Sequence, residues 1–477
     1  MPRLRILVPM GIAVLATLTS GPVRAADGSM GTAPGLPALT PRVSSAARAR
    51  QFLYTGQADQ AERLVRAALA SGADDALLCL SGEIQFRRAN FTEAARAFEA
   101  AAGLNPGNAR AWWGLGRIEQ ASFREQRARD LFSKAFLLDH RDTDIILSYA
   151  DFVTDPVSKS VLLDNVARLA GPDQRERAER AVALLQIQER LQGRLPSRLA
   201  SPYAAYRLPL TGFRPNTSAQ AGILVSARIN GSKPLRLLLD TGARGITIHA
   251  GAARNLTLET ITASRLGGFG EAGADESHVA LARSVTFGDL VFEDCLVEIS
   301  ARSLTTGADG VLGADVFERF RIGVDARAGV LQLTPFDDST REASRPTVAA
   351  IGIRHLMLVK TRVEGGSEGL FLVDTGAAYT AVSRDYLPPV LRHQGQPVEL
   401  QGAQGPLAAA LRVAPLVLNV GGLPLVERAP LAVDLHAISQ MEGIEIAGIL
   451  GYSMLGRSPF TLDFRNGTVE FAGIASR

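Results

Sequence analysis

Two short tracts of this chain hold the residues best suited to chemistry. Leu237-Leu-Leu-Asp240-Thr241-Gly242-Ala243 and Phe371-Leu-Val-Asp374-Thr375-Gly376-Ala377 are near-copies. Each puts one carboxylate at the end of an apolar strand, before a Thr-Gly turn. Two carboxylates held a few ångströms apart cannot both ionise, so one keeps a proton. The ionised member can then take a proton from water while the protonated one hydrogen-bonds a carbonyl oxygen. Asp325 and Asp463 also recur as a pair, but each lies beside a Gly in a hairpin, where Asp serves the turn. Asp309 and Asp315 flank Gly310 in the first copy only, where the second has Ala447 and Ser453. They read as loop or cap residues.

The duplication extends well beyond the two aspartates. Ile223 to Gly231 runs into the first tract, as Met357 to Gly365 runs into the second. Gly310-Val-Leu-Gly313 recurs as Gly448-Ile-Leu-Gly451, and the closing hairpin Val324 to Gly329 recurs as Leu462 to Gly467. Gly is frequent, the apolar runs are short, and residues alternate rather than repeat at helical spacing, which predicts a β-rich region over 219–477. Each half has the order apolar strand, Asp-Thr-Gly, Gly-rich middle, apolar-apolar-Gly, hairpin.

That order resembles the aspartic peptidase family, the pepsin-like and retropepsin-like enzymes. The resemblance covers both halves and implies a two-lobed all-β acid-protease fold, with one lobe over 219–340 and the other over 341–477. It implies that Asp240 and Asp374 are catalytic and that no cofactor or metal is needed. Thr241 and Thr375 would fix the loops from behind, and Gly242 and Gly376 would let backbone amides approach the carboxylates. Gly313 and Gly451 would belong to strands passing through the Asp loops. The family's flaps would fall at Gly268, Phe269 and Gly270 in the first lobe and at Gly402 and Gly405 in the second. Neither carries the Tyr of pepsin-like flaps, which leans toward a bacterial, retropepsin-like lid. Ile246 stands where a Thr is expected, so the first lobe should have weaker hydrogen-bond support. The implied substrate is a peptide or unfolded protein, bound as an extended strand across the cleft. The alternative is a non-catalytic peptide-binding or scaffold protein that keeps the fold.

The upstream region has a different grammar. Gly82, Ala94, Phe98 and Ala101 recur at one constant interval as Gly116, Ala128, Phe132 and Ala135, preceded by Trp112 and Leu115. This resembles the tetratricopeptide (TPR) repeat, in which small residues let antiparallel helices approach and large ones fill the groove. A weaker unit precedes these, while Pro156 and the polar stretch 171–180 are expected to break the pattern. A helical solenoid over 42–195 follows, acting as a spacer or as a surface for substrate or a protein partner. The Pro-rich stretch 196–218 reads as a linker. The fold class is thus multidomain α plus β.

The first residues address the chain. Arg3 and Arg5 precede a mostly apolar run from Ile6 to Leu18, and small residues follow up to Ala26. This is the order of a signal peptide over 1–25, with 26–41 as a flexible linker. The run is broken by Pro9 and too short to span a bilayer, so export to the periplasm or medium is expected, with no stable membrane span after cleavage. The chain carries 51 basic and 48 acidic residues, interspersed, for a net charge of +3. No nucleic-acid footprint appears in that balance. Cys79 and Cys295 share no metal-ligand spacing with the six His.

Overall fold

In the N-terminal half a helix cap recurs in step with the sequence repeat. Asp74, Asn108 and Asp142 stand at that interval, and their side chains accept the N–H groups of Leu77 (2.9 Å), Ala111 (3.2 Å) and Asp144 (3.0 Å). Each satisfies a donor that the first helical turn leaves unpaired. The computed structural model describes residues 5–10, 14–15, 45–54, 57–72, 74–171, 174–215, 220–267, 275–302, 304–336, 346–402 and 405–471. Among them, nine helices run from Ser45–Tyr54 to Arg175–Leu191. The glycines of the repeat make room for rings. A Cβ at Gly114 would lie 2.4 Å from the Phe98 ring, and one at Gly116 would lie 2.7 Å from Phe132.

The repeat loses its regular lengths before Pro156, since Thr143–Ala150 has 8 residues where Ala109–Ala121 has 13, but Pro156 does not end the run of helices. It opens the helix Pro156–Leu169, where a missing N–H costs nothing, and Asp155 caps that helix by accepting from Ser158 N at 2.7 Å. The polar stretch that follows leads into Arg175–Leu191.

The expected linker 196–218 also needs correction, because it supplies two strands to the β region. Arg198–Leu199 pairs with Leu290–Ser300. Tyr206–Phe213 pairs through residues 206–209 with Val330–Pro335, then through 210–213 with Gly222–Ile229. Pro209 sits where one ladder hands over to the other, a place that tolerates a residue with no N–H.

The two β halves repeat one design. In the first lobe, Leu235–Asp240 pairs antiparallel with Gly222–Ile229 and parallel with Gly310–Gly313. Gly310–Gly313 in turn pairs antiparallel with Ile246–His249, so it threads between the two strands that flank the Asp loop. In the second lobe, Gly448–Leu450 threads in the same way between Glu368–Val373 and Ala381–Ser383. The closing hairpins join the lobes: Phe320–Asp325 pairs with Phe460–Asp463 across the pseudo-dyad. A core of Leu, Val, Ile and Phe side chains runs through both lobes.

The helices dock on both lobes. Phe123, at the turn after Ala109–Ala121, has its ring where Cβ atoms at Gly352 and Gly467 would be, at 2.7 Å and 2.2 Å. Arg190 pairs with Glu259, and Arg194 with Asp294 at 3.3 Å. Cys79 and Cys295 are separate buried thiols.

Arg5–Met10 and Val14–Leu15 are strands, set against Gln396–Gly402 and Glu259–Gly267. The rest of the expected signal peptide, with its cleavage site near Ala25 or Ala26, and the linker 26–41 lie outside the described residues. No helix among those described is long and apolar enough to cross a membrane.

Candidate active site

Each threonine of the paired loops reaches into the other lobe. Thr241 Oγ1 donates to the Val373 carbonyl (2.6 Å), and Thr375 Oγ1 donates to the Leu239 carbonyl (2.7 Å). Each hydroxyl also accepts the other threonine's backbone N–H, at 3.2 and 3.1 Å. The four bonds form a closed, buried set that fixes both loops against each other. Gly242 and Gly376 face the opposite carboxyl groups. A Cβ at Gly376 would lie 2.2 Å from Asp240 Cγ, and one at Gly242 would lie 2.8 Å from Asp374 Cγ. Only a residue with no side chain lets the two carboxyls sit this deep.

Asp240 and Asp374 are fully buried. Asp240 Oδ1 accepts Gly242 N at 2.9 Å. Asp374 Oδ1 accepts Gly376 N at 2.8 Å and Ala377 N at 3.1 Å. The two Oδ2 atoms take no donor from the described residues. The carboxyls instead stand within hydrogen-bond reach of one another, a contact that requires a proton. Burial raises both above the ordinary carboxylate range. The neighbouring Asp374 charge raises Asp240 further, while the hydrogen bond from Asp240 and the loop amides hold Asp374 down. The pair therefore holds one proton above the ordinary carboxylate range and titrates as a unit.

Gly313 and Gly451 lie beside these loops. A Cβ at Gly313 would come within 2.5 Å of the Ala243 carbonyl, and one at Gly451 within 2.3 Å of the Tyr379 carbonyl. The lobes support their loops differently. In the second, Thr380 Oγ1 accepts Gly451 N at 3.1 Å, Thr380 N donates to Ser453 Oγ, and Ser453 leans on the buried Glu427. In the first, Ile246 cannot play that part. Asp315, at the position of Ser453, accepts Gly245 N at 2.8 Å instead. The missing Thr is thereby offset by a loop residue that sequence reasoning treated as a cap.

His355 is the residue that reasoning missed. It belongs to the second lobe, yet its Nε2 lies 3.3 Å from the Gly242 carbonyl in the first. Burial, with the Arg244 and Arg354 charges, pushes its pKa down to about 4, so the ring is neutral and Nε2–H is the donor. No duplicated motif marks it, and its partner lies far back along the chain.

Two long hairpins project from the lobes: Glu259–Gly267 with Asp275–Phe287, and Gln396–Gly402 with Gly405–Arg412. Gly402 and Gly405 pair with each other at the end of the second. Gly268, Phe269 and Gly270 lie outside the described residues. No cluster of His, Cys, Asp and Glu suited to a metal occurs among the described residues.

Residues 225–316 match the family model described as "Aspartyl protease". None of the curated proteins matches. Among solved structures the chain is similar to the crystal structure of aspartic proteinase from Irpex lacteus, at 15% identity, over 57% of this chain and 98% of that one, with a TM-score of 0.39.

Proposed function

We propose that this chain is an aspartic endopeptidase that hydrolyses peptide bonds with water activated by Asp240 and Asp374. One observation carries the reading: two buried carboxyls, delivered by matched loops, each pack against the other loop's glycine with an Oδ2 that takes no donor from the described residues. A structural Asp pair would not be buried with both Oδ2 atoms bare of protein donors. In the proposed step Asp374, the better solvated by loop amides, takes a proton from water as the water oxygen bonds to the peptide carbonyl carbon. Asp240 donates its proton to the carbonyl oxygen. Asp374 then passes its proton to the amide nitrogen, the C–N bond breaks as Asp240 takes a proton back from a hydroxyl of the diol, and a carboxylic acid and an amine leave.

An extended peptide would pair as an added strand on the hairpin edge of Gln396–Gly402, the place that Arg5–Met10 takes in this structure. The support that Asp315 gives the first loop favours catalysis over a scaffold role. The helices fit a TPR-like module that binds substrate or a protein partner. The basic, apolar and small-residue order from Arg3 to Ala26 fits export, periplasmic or secreted, in a bacterium.

The test is cleavage of an unfolded protein by the purified chain, and its block by a pepstatin-like transition-state mimic. Cleavage that persists in Asp374→Asn would overturn the reading.

A further inference from the structure

One side chain crosses from the second lobe to the first Asp loop with no counterpart in the other direction. His355 sits in a two-residue turn, Arg354-His355, that joins Thr347–Ile353 to Leu356–Val363, with Ile353 opposite Leu356. Arg354 is left-handed there, φ 56°, in a turn that usually takes Gly at such a position. The ring of His355 is buried, and its Nε2 lies 3.3 Å from the Gly242 carbonyl oxygen.

Gly242 carries that contact on to both carboxyls. Its N–H donates to Asp240 Oδ1 at 2.9 Å, and a Cβ on it would stand 2.8 Å from Asp374 Cγ. In the first lobe the position matching His355, just ahead of Gly222–Ile229, is Ala221, whose side chain has no donor. The bond also goes to the loop that needs it. The second loop has Thr380 and Ser453 behind it, and the first has Ile246 and Asp315.

The ring is a costly choice for that position. The charges facing it are those of Arg354 beside it and Arg244 of the first loop, and with burial they keep it neutral. Glu442, from His436–Glu442, pairs with Arg354 at 3.4 Å. A neutral ring that donates from Nε2 keeps an acceptor at Nδ1. That atom is buried with no partner among the described residues, which costs free energy. An apolar side chain could fill the same space and leave no acceptor bare, so the Nε2–H donor is what the position uses.

We infer that His355 is a positioning residue: through Gly242 it sets where Asp240 stands against Asp374 while the two carboxyls handle water and the scissile carbonyl. This deepens the endopeptidase reading and rests on it.

Three replacements separate this role from plain packing. His355→Leu fills space without a donor. His355→Gln carries an N–H out to the place of Nε2, and His355→Asn carries one that stops short of it. His355→Leu and His355→Asn should each lower kcat about tenfold or more with KM nearly unchanged, since a displacement near ~1 Å can cost about 10²-fold. The acid limb of the pH profile of kcat/KM should also move to higher pH in both, because the Gly242 amide that favours ionised Asp240 is no longer held in place. His355→Gln should recover most of kcat and return the limb to its wild-type place. A packing role predicts the reverse order, with Leu the best replacement and the limb unmoved, and that result would overturn the inference. So would a Gln chain as impaired as the Leu chain. If His355→Leu does not fold, Asn against Gln carries the same comparison.

If the wild-type chain cleaves no peptide, the peptidase reading fails and His355 is judged on the carboxyls themselves. NMR of the chain labelled at its Asp carboxyl carbons, with the pair assigned through Asp240→Asn, reads their shared titration without substrate. A titration that moves up in His355→Leu and returns in His355→Gln upholds the positioning role alone. One that stays in place in His355→Leu overturns it.

Discussion

Asp240 and Asp374 are matched in sequence but not in surroundings, and the difference can be measured. Losing either carboxyl removes the shared proton or its acceptor. Asp240→Asn and Asp374→Asn should each lower kcat/KM on the order of 10³-fold or more. Stability should move the other way. Burial raises the Asp240 carboxyl, so the native chain holds its proton where the unfolded chain has lost it. As pH rises from about 4, the ordinary value, through the raised one, unfolding gains relative to folding. Below that window both states are protonated and the effect vanishes. Asp240→Asn should thus melt higher than wild type at pH 7, by at least about 2 °C, with the gap closing toward pH 4. His355 has the opposite sense: its pKa of about 4 costs stability as pH falls through 6.5. It is present in both chains and cancels in the comparison. Thermal melts at the two pH values decide it, and an Asn variant less stable at pH 7 would mean the carboxyls are not strained. The dyad was legible because it occurs twice. His355 and Asp315 occur once, and their partners lie far along the chain, so no pattern announced them.

At the scale of elements, the loops work because the strand after each Gly-rich middle passes through them. Gly376 is the tightest point. A methyl there would sit 2.2 Å from Asp240 Cγ, and rigid packing leaves it no way around. Gly376→Ala should push the carboxyls apart, lowering kcat by about 10²-fold for a displacement near ~1 Å. It should cost about 1–3 kcal/mol of stability from overpacking. Denaturant unfolding with steady-state kinetics would check both. A fully active Gly376→Ala chain would mean that the two loops part easily. The regular intervals of the helical repeat and of the duplicated lobes made both readable, because each is a packing rule used again. The prolines were harder to read. Pro156 was expected to break the repeat, and it does so as the start of a helix. Pro209 looked like linker and marks a strand changing partners. In both cases proline's meaning depends on where the N–H would have pointed, which tertiary pairing decides.

The whole molecule is joined more tightly than a solenoid tethered to an enzyme would be. Strand Tyr206–Phe213 belongs to the first lobe and buries Leu208, Leu210 and Phe213. A chain beginning at Ala219 lacks that strand. It should fail to fold, since the ladders of Val330–Pro335 and Gly222–Ile229 would each lose an edge. A chain beginning at Pro196 keeps the strand and should fold. It would expose the slot that Phe123 fills over Gly352 and Gly467, and would give up the Arg190–Glu259 pair. Its β region should melt below that of the full chain. Phe123→Ala in the full chain isolates the plug. The ring is only half-buried, so its loss should cost about 1–2 kcal/mol, below the cost at a fully buried site. That is a few degrees in a domain of this size. If docking is what couples the halves, Phe123→Ala should also split one melting transition into two, seen by calorimetry, and speed proteolysis between the helices and the lobes. A single transition at the wild-type temperature would show that other contacts hold the halves together. A chain from Ala219 that folds would show the first lobe to be complete without its strand.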